Sequence, residues 1–298
     1  MANDKSNQKN ANPGRVTFLD GQGELPMLEV NTAWSRAEIY LHGAHVTNFT
    51  KKDEPSVLFM SQCSRFVEDQ PIRGGVPIIF PWFGMREGLG MHGFARLKSW
   101  ELKEFMPAPD GSVSVRFRLA ECPEASAFPP FAADYTVTVD QALTLKLAVT
   151  NQSRDEPFTF ENCLHSYFEV GDVTAISIHG LKGVHYLDKV VNFARKTETH
   201  DAIRISSEVD RIYLNTTGTV EIRDPRFGRK ILVEKQSSRS TVVWNPWIAK
   251  SQQMSDFGND EYQRMVCVES GNVASDQITL PPGQTSTLSV KLSTQPLS

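Results

Sequence analysis

The stretch Asp134-Tyr-Thr-Val-Thr-Val-Asp-Gln-Ala-Leu-Thr-Leu-Lys-Leu-Ala-Val149 decides the fold class. Apolar side chains fall at every second position on both sides of its centre: Tyr135, Val137 and Val139, then Leu143, Leu145, Leu147 and Val149. A period of two sends successive side chains to opposite faces, so each run reads as a half-buried antiparallel strand. Asp140-Gln141 between them predicts a hairpin turn. Working outward, Ser112 to Leu119 alternates in the same way. Ala37 to Leu41, His45 to Phe49, Ser99 to Phe105, Thr219 to Arg223, Lys230 to Lys235, Thr241 to Trp244, Met265 to Glu269 and Ser286 to Leu292 fit the same class. No long stretch carries apolar residues at helical spacing, and no strand-helix-strand rhythm appears. Packed antiparallel sheets are therefore expected, not a doubly wound parallel sheet.

The 298 residues are enough for a large core, and 40% hydrophobic with 22% charged residues is the profile of a water-soluble globular chain. A net charge of -4 gives no global positive field, so a nucleic-acid partner or an acidic membrane surface is not expected, and any bound anion must be held locally. The polar start, Met1 to Gly14, lacks the apolar run of a signal peptide or anchor, so a cytoplasmic location and a disordered tail over residues 1–14 are expected. Cys63, Cys122, Cys163 and Cys267 lie far apart, with no paired spacing for zinc or a redox motif. Reduced thiols fit that compartment.

Two segments break the alternation, Glu68 to Arg96 and Trp244 to Gln263. Glycine and proline give them irregular backbone, and loops of that kind on a rigid β-scaffold are where sites are built. Neither a serine-nucleophile elbow, a phosphate-binding loop nor a paired-histidine zinc motif is present, and Gly88-Leu-Gly90 is only a fragment of a dinucleotide fingerprint. His42 and His45 invite a metal reading, but on one strand their offset of three puts them on opposite faces, and only a bulge at Gly43 would bring them together. His179, His185 and His200 read as exposed loop histidines.

Other residues carry more chemistry. His165 stands among aromatic and polar neighbours in Phe160-Glu-Asn-Cys-Leu-His-Ser-Tyr-Phe168, and an imidazole titrates near neutrality, so it can give and recover a proton within one cycle. A buried structural histidine is the competing reading. Glu269 closes Met265-Val-Cys-Val-Glu269; as one strand, this puts Val266 and Val268 on one face and Met265, Cys267 and Glu269 on the other. A carboxyl beside Cys and Met has its pKa raised and becomes a usable base, against the plainer reading of a surface glutamate. Arg73, with Gly74-Gly75, and Arg96, with His92-Gly93, put two guanidinium forks in one glycine-rich segment, which suits phosphate oxygens. Trp82, Phe83, Trp244, Trp247 and Tyr262 are candidates to stack on a sugar face or to pack. Asp210 is a candidate acceptor for sugar hydroxyls or a turn cap.

Five motifs in order carry a resemblance: R-G-G-V-P-x-x-F-P-W-F-G from Arg73 to Gly84, H-G-F-A-R from His92 to Arg96, L-H-S-Y-F from Leu164 to Phe168, V-D-R-I-Y from Val209 to Tyr213 and C-V-E-S-G-N from Cys267 to Asn272. Over about residues 28–292 the chain resembles the hexose-6-phosphate mutarotases, also called glucose-6-phosphate 1-epimerases, of the aldose 1-epimerase superfamily. The resemblance implies an all-β fold, a single large antiparallel β-sandwich of the galactose-mutarotase kind, here over residues 15–298. It implies catalysis by the positions matching His165 and Glu269, and substrate contacts at those matching Arg73, His92, Arg96 and Asp210. The implied reaction opens and recloses a sugar ring by acid/base steps, so neither metal nor organic cofactor is expected, and the partner is a small-molecule hexose phosphate bound by a monomer. A free-hexose mutarotase and a non-catalytic sugar-binding module remain as alternatives. A polysaccharide lyase or hydrolase would want a second carboxylate paired with Glu269, and the sequence offers none.

Overall fold

A computed structural model describes residues 14–297. The expected tail over residues 1–14 lies, Gly14 apart, outside the described residues. The alternating stretch Asp134 to Val149 lies in two adjacent strands, Phe131–Val139 and Leu143–Asn151, in which Val137, Val139, Leu143, Leu145, Leu147 and Val149 are all buried. Their pairing closes at Val139 opposite Leu143, so the turn takes three residues, one more than the two expected. Asp140 shapes it: its Oδ1 accepts from the Ala142 amide at 2.6 Å while its own amide donates to the Ala142 carbonyl at 3.0 Å.

These strands lie within a nine-stranded antiparallel sheet whose central members include Arg229–Gln236 and Thr285–Pro296. A second antiparallel sheet carries Val209–Tyr213, Ser240–Asn245, Met265–Asn272 and Asn162–Leu164 side by side. One apolar cluster takes Phe117, Val137, Leu145, Leu147, Ile231 and Leu288 from the first sheet and Val209, Val243, Val266 and Val268 from the second, so the two pack face to face. Each such side chain contributes about 1.5–3 kcal/mol by leaving water. Arg15–Asp20, Pro26–Asn31, Ser35–Tyr40 and His45–Lys51 form a separate four-stranded meander that adds Leu28, Val30, Ile39 and Phe49 to the same cluster.

Several short strands lacked a readable alternation, among them Phe158–Phe160, Ser177–His179, His185–Asp188 and Ala194–Thr197. His179 and His185 therefore lie on strands and not in loops, bonded to Ser177 Oγ at 2.9 Å and Thr197 Oγ1 at 2.8 Å. His200 is exposed beside Glu198. The two segments read as loops are mostly irregular, but the second contains a short helix, Trp247–Ser251, and a 3-10 turn, Glu261–Arg264. All four cysteines are free.

His42 and His45 do sit on a turned backbone, with Gly43 at φ +71° and Ala44 at +43°. Each spends its Nε2 on a backbone carbonyl at the first motif, His42 on Gln70 just before it at 2.7 Å and His45 on Gly74 within it at 2.8 Å. Burial pushes His45 down to about 3, so it stays a neutral strut for that loop. The glycines beside the arginines also serve packing. A Cβ on Gly75 would lie 2.2 Å from the Val46 carbonyl oxygen and one on Gly93 2.0 Å from that of Phe80, and both have positive φ. The close approach is made by backbone, where a ligand was expected.

Candidate active site

The strand Met265–Asn272 is buried at all eight positions. Val266 and Val268 enter the inter-sheet core, whereas Met265 and Cys267 join a second cluster with Phe59, Tyr167, Trp244 and Phe257 on the opposite face. The faces divide as the alternation predicts. Cross-strand pairing then sets out the site: Cys267 opposes Trp244 and Trp244 opposes Asp210, one row across three strands.

On the other flank the partner is interrupted. Asn162–Leu164 and Tyr167–Glu169 both pair with Met265–Asn272, and the gap between them keeps the register, since Leu164 opposes Ser270 and Tyr167 opposes Cys267. His165 therefore lies opposite Glu269. The break falls at Ser166, whose amide donates back to the Leu164 carbonyl at 3.0 Å and not across the ladder, while the His165 amide donates to the Pro77 carbonyl at 3.1 Å on the far side. His165 Nε2 stands 3.2 Å from Glu269 Oε1, and both residues are buried. The Cys163 thiol donates to Glu269 Oε2 at 3.5 Å. The imidazole lies flat on the Tyr167 ring, centroids 4.6 Å apart and planes 8° apart, with the rings of Trp244 and His92 edge-on at 6.1 and 5.9 Å.

Electrostatics drives the pair toward its uncharged form. Burial, then the Asp210 carboxylate, raises Glu269 well above the ordinary carboxyl range, with Lys189 and the Cys163 thiol opposing. Burial, then His92, Arg73 and Arg96, holds His165 well below the ordinary imidazole range. A carboxyl and an imidazole in contact, each shifted toward its uncharged form, are placed to pass a proton between them. His165 Nδ1 is buried without a partner.

The remaining expected residues surround this pair. Arg73 donates from Nη1 to the Tyr167 hydroxyl at 3.0 Å and from Nε and Nη2 to Asp256 Oδ2 at 3.1 and 3.0 Å. Arg96 spends one bond on the Met91 carbonyl, at 2.8 Å, and its Nε is buried with no partner. Burial, with Arg73 nearby, pushes Arg96 down to about 10, so two guanidinium groups repel each other here with donors unspent. His92 accepts the Gly84 amide at Nδ1, 3.1 Å, which leaves the proton of a neutral ring on Nε2. Asp210 is buried and paired through Oδ2 with Lys189 Nζ at 2.8 Å, with Lys250 Nζ at 4.0 Å.

Of the aromatic candidates, Trp244 and Phe83 border the site, Phe83 lying 4.8 Å from the His92 ring with Lys189 above it. Trp82 packs on Phe94 and Phe128, and Trp247 on Tyr262, so those three serve the core. Sequence reasoning missed Cys163, Tyr167, Lys189 and Asp256 as neighbours of the pair; Cys163 and Tyr167 flank His165 at i−2 and i+2, a strand period that was available as a signal.

His165, Cys267 and Glu269 offer ligand atoms within 4.8 Å of one another, the one such group of three among the described residues. Arg73 and Arg96 act on His165 and Arg73 on Cys267, while Asp210 and Lys189 act on Glu269 with opposite sign, so positive charge gathers on the His165 side of the group.

Residues 27–293 match the model of the family described as aldose 1-epimerase. The chain belongs to that family. Aldose 1-epimerases are isomerases, and the site is read accordingly as that of an enzyme acting on a sugar. A relative from Cenchrus ciliaris, named "Putative glucose-6-phosphate 1-epimerase", is 36% identical over 260 residues, covering 83% of this chain and 78% of its own. One of the same name from Escherichia coli K12 is 35% identical, covering 85% of each chain. The solved structure of a "putative mutarotase" from Salmonella typhimurium superposes with a TM-score of 0.87 at 29% identity, over 94% of both chains. A galactose mutarotase-like protein from Clostridium acetobutylicum shares the fold with a TM-score of 0.74 at 14% identity. In all described residues no helix is long and apolar enough to cross a membrane.

Proposed function

We propose that this aldose 1-epimerase family member interconverts the α and β anomers of a hexose 6-phosphate, glucose 6-phosphate being the first candidate, with Glu269 as general base and His165 as general acid. The 3.2 Å contact between His165 Nε2 and Glu269 Oε1, buried among aromatic rings, carries the reading. Glu269 takes the proton of the anomeric hydroxyl while His165 protonates the ring oxygen; the C1–O5 electron pair goes to O5, and the O1–H pair becomes the carbonyl π bond. Rotation about C1–C2 presents the other carbonyl face. O5 then attacks C1, returns its proton to His165, and O1 recovers its proton from Glu269. Both groups end in their starting state, so repeated turnover needs no further reagent. Each positioned acid or base contributes about 10²- to 10⁴-fold.

Arg96, Arg73 and the His92 Nε2–H supply donors for the phosphate and the sugar, and Asp210 supplies an acceptor. The positive charge beside His165 favours the phosphate ester over the free sugar. After burial and His92, the charges that hold His165 low are Arg73 and Arg96, and a bound dianion cancels both. Its arrival removes that part of the depression and so shifts His165 in the direction the acid needs. One domain over residues 15–298 is part of the same proposal; the apolar cluster running from Leu28 to Leu292 supports it, as does the span of the family match. So is action as a monomer in the cytoplasm.

Exchange NMR between the α and β signals tests the reading with glucose 6-phosphate and glucose side by side. Faster exchange of the ester is expected. Equal acceleration of both sugars would favour a free-hexose mutarotase, and acceleration of neither a sugar-binding module.

A further inference from the structure

Lys189 stands beside the reacting pair without touching it. It opens the 3-10 turn Lys189–Val191 directly after the strand His185–Asp188, which pairs with the Asp210 strand Val209–Tyr213. Its Nζ lies 2.8 Å from Asp210 Oδ2, with side chains 24% and 9% exposed, so the pair is largely withdrawn from water. The same Nζ lies 5.5 Å from the centroid of the Phe83 ring, which in turn packs against His92. One ammonium group thus ties the sheet that bears Asp210 to the loop that bears His92.

The need for such a group follows from what lies behind Asp210. Asp210 and Glu269 are buried carboxyl groups on neighbouring site rows, close enough for the Asp210 charge to act on Glu269. Two like charges that share a site cannot both ionise freely. The titratable and charged groups around Glu269 are His165, Cys163, Cys267, Tyr167, Asp210 and Lys189. Around Asp210 they are Lys189, Glu269, Cys267 and, farther off, Lys250.

We propose that Lys189 is a positioning residue of the anomer exchange: it holds the Asp210 side chain toward the sugar and offsets its charge so that Glu269 stays free to act as base. The inference rests on the reading of Glu269 given above. Lys189 touches no reacting atom. It acts by where Asp210 points and by how much of its charge Glu269 feels.

The test compares Lys189→Met, which keeps the stem and removes the charge, with Lys189→Arg, which keeps the charge. Loss of the ammonium leaves Asp210 uncompensated and raises Glu269 further. The acid limb of kcat/KM against pH for glucose 6-phosphate anomer exchange should then move up by about one pH unit. Exchange on the acid side of that limb should fall about tenfold in Lys189→Met and recover at alkaline pH, with Lys189→Arg close to wild type. An unmoved limb with a raised KM would overturn the proposal in favour of direct substrate binding. A loss uniform over pH that arginine does not rescue would overturn it in favour of a purely structural role. A ¹³C-carboxyl NMR titration of Glu269 in wild type and Lys189→Met reads the same coupling without substrate. If it shows the shift while wild type exchanges no anomers, the function reading has failed and the coupling stands.

Discussion

Glu269→Gln should make the protein more stable and nearly inactive. The substitution keeps shape and leaves an oxygen to accept from His165 Nε2, now 3.2 Å from Oε1. It removes the proton acceptor, so exchange of the glucose 6-phosphate anomers should fall about 10²- to 10⁴-fold, which is about 2.7–5.4 kcal/mol of barrier. Stability moves the other way. In the native protein burial and Asp210 hold the Glu269 carboxyl above its ordinary value of 4.5. Unfolding returns it to that value. Between the ordinary and the raised pKa the unfolded chain therefore binds fewer protons than the native one, and stability falls as pH rises through that window. The amide has no such loss. Relieving a strained site group is worth about 0.5–2 kcal/mol. For a chain of this size that is a few degrees of melting temperature, present at pH 7–8 and absent at pH 4, below the window. Exchange NMR measures the first effect, and thermal melts followed by circular dichroism at the two pH values the second. More than about a tenth of wild-type exchange would refute the base assignment. A melting difference equal at both pH values would refute the electrostatic account.

Arg96→Ala should raise KM for glucose 6-phosphate about 10- to 100-fold, the scale of lost hydrogen bonds to a charged group, and leave glucose nearly unaffected; KM values for both sugars decide it. Arg73→Ala should share that effect and lower stability as well, because Asp256, 15% exposed, loses its partner; a urea titration separates the two losses. Gly75→Ala forces a Cβ to 2.2 Å from the Val46 oxygen at a φ of +57°, and more than about 4 kcal/mol of destabilisation is expected, seen as lost soluble expression or a collapsed urea midpoint.

How much of this was legible depends on the range of the forces involved. Strand class and facing come from a period of two, which is local, so Met265 to Glu269 divided its side chains as the alternation predicts. The short strand His185–Asp188 carried no such pattern, because three or four residues hold too few repeats to show one. His165 and Glu269 were each visible as chemistry, but the register that sets them opposite joins residues over a hundred positions apart and is written in no single segment. Trp82 shows the converse. Its loop and its composition suit a sugar platform, and only the position of Phe94 and Phe128 assigns it to packing. Asp256 and Lys189 escaped because each matters through one partner from another element, Arg73 and Asp210.

The interrupted strand around His165 has a consequence for how such a site can change. The proposed acid and base are rungs of one ladder, so their spacing is inherited from backbone pairing and does not depend on the loops above. Arg73, His92, Arg96 and Asp256 all hang from those loops. Insertions there can redraw which sugar is admitted while the chemistry beneath is left alone. A slip of one residue in Met265–Asn272 would instead bring Val268 or Ser270 opposite His165 and turn Glu269 toward the apolar core, so tolerance to change should be wide in the rim and close to nil in the ladder.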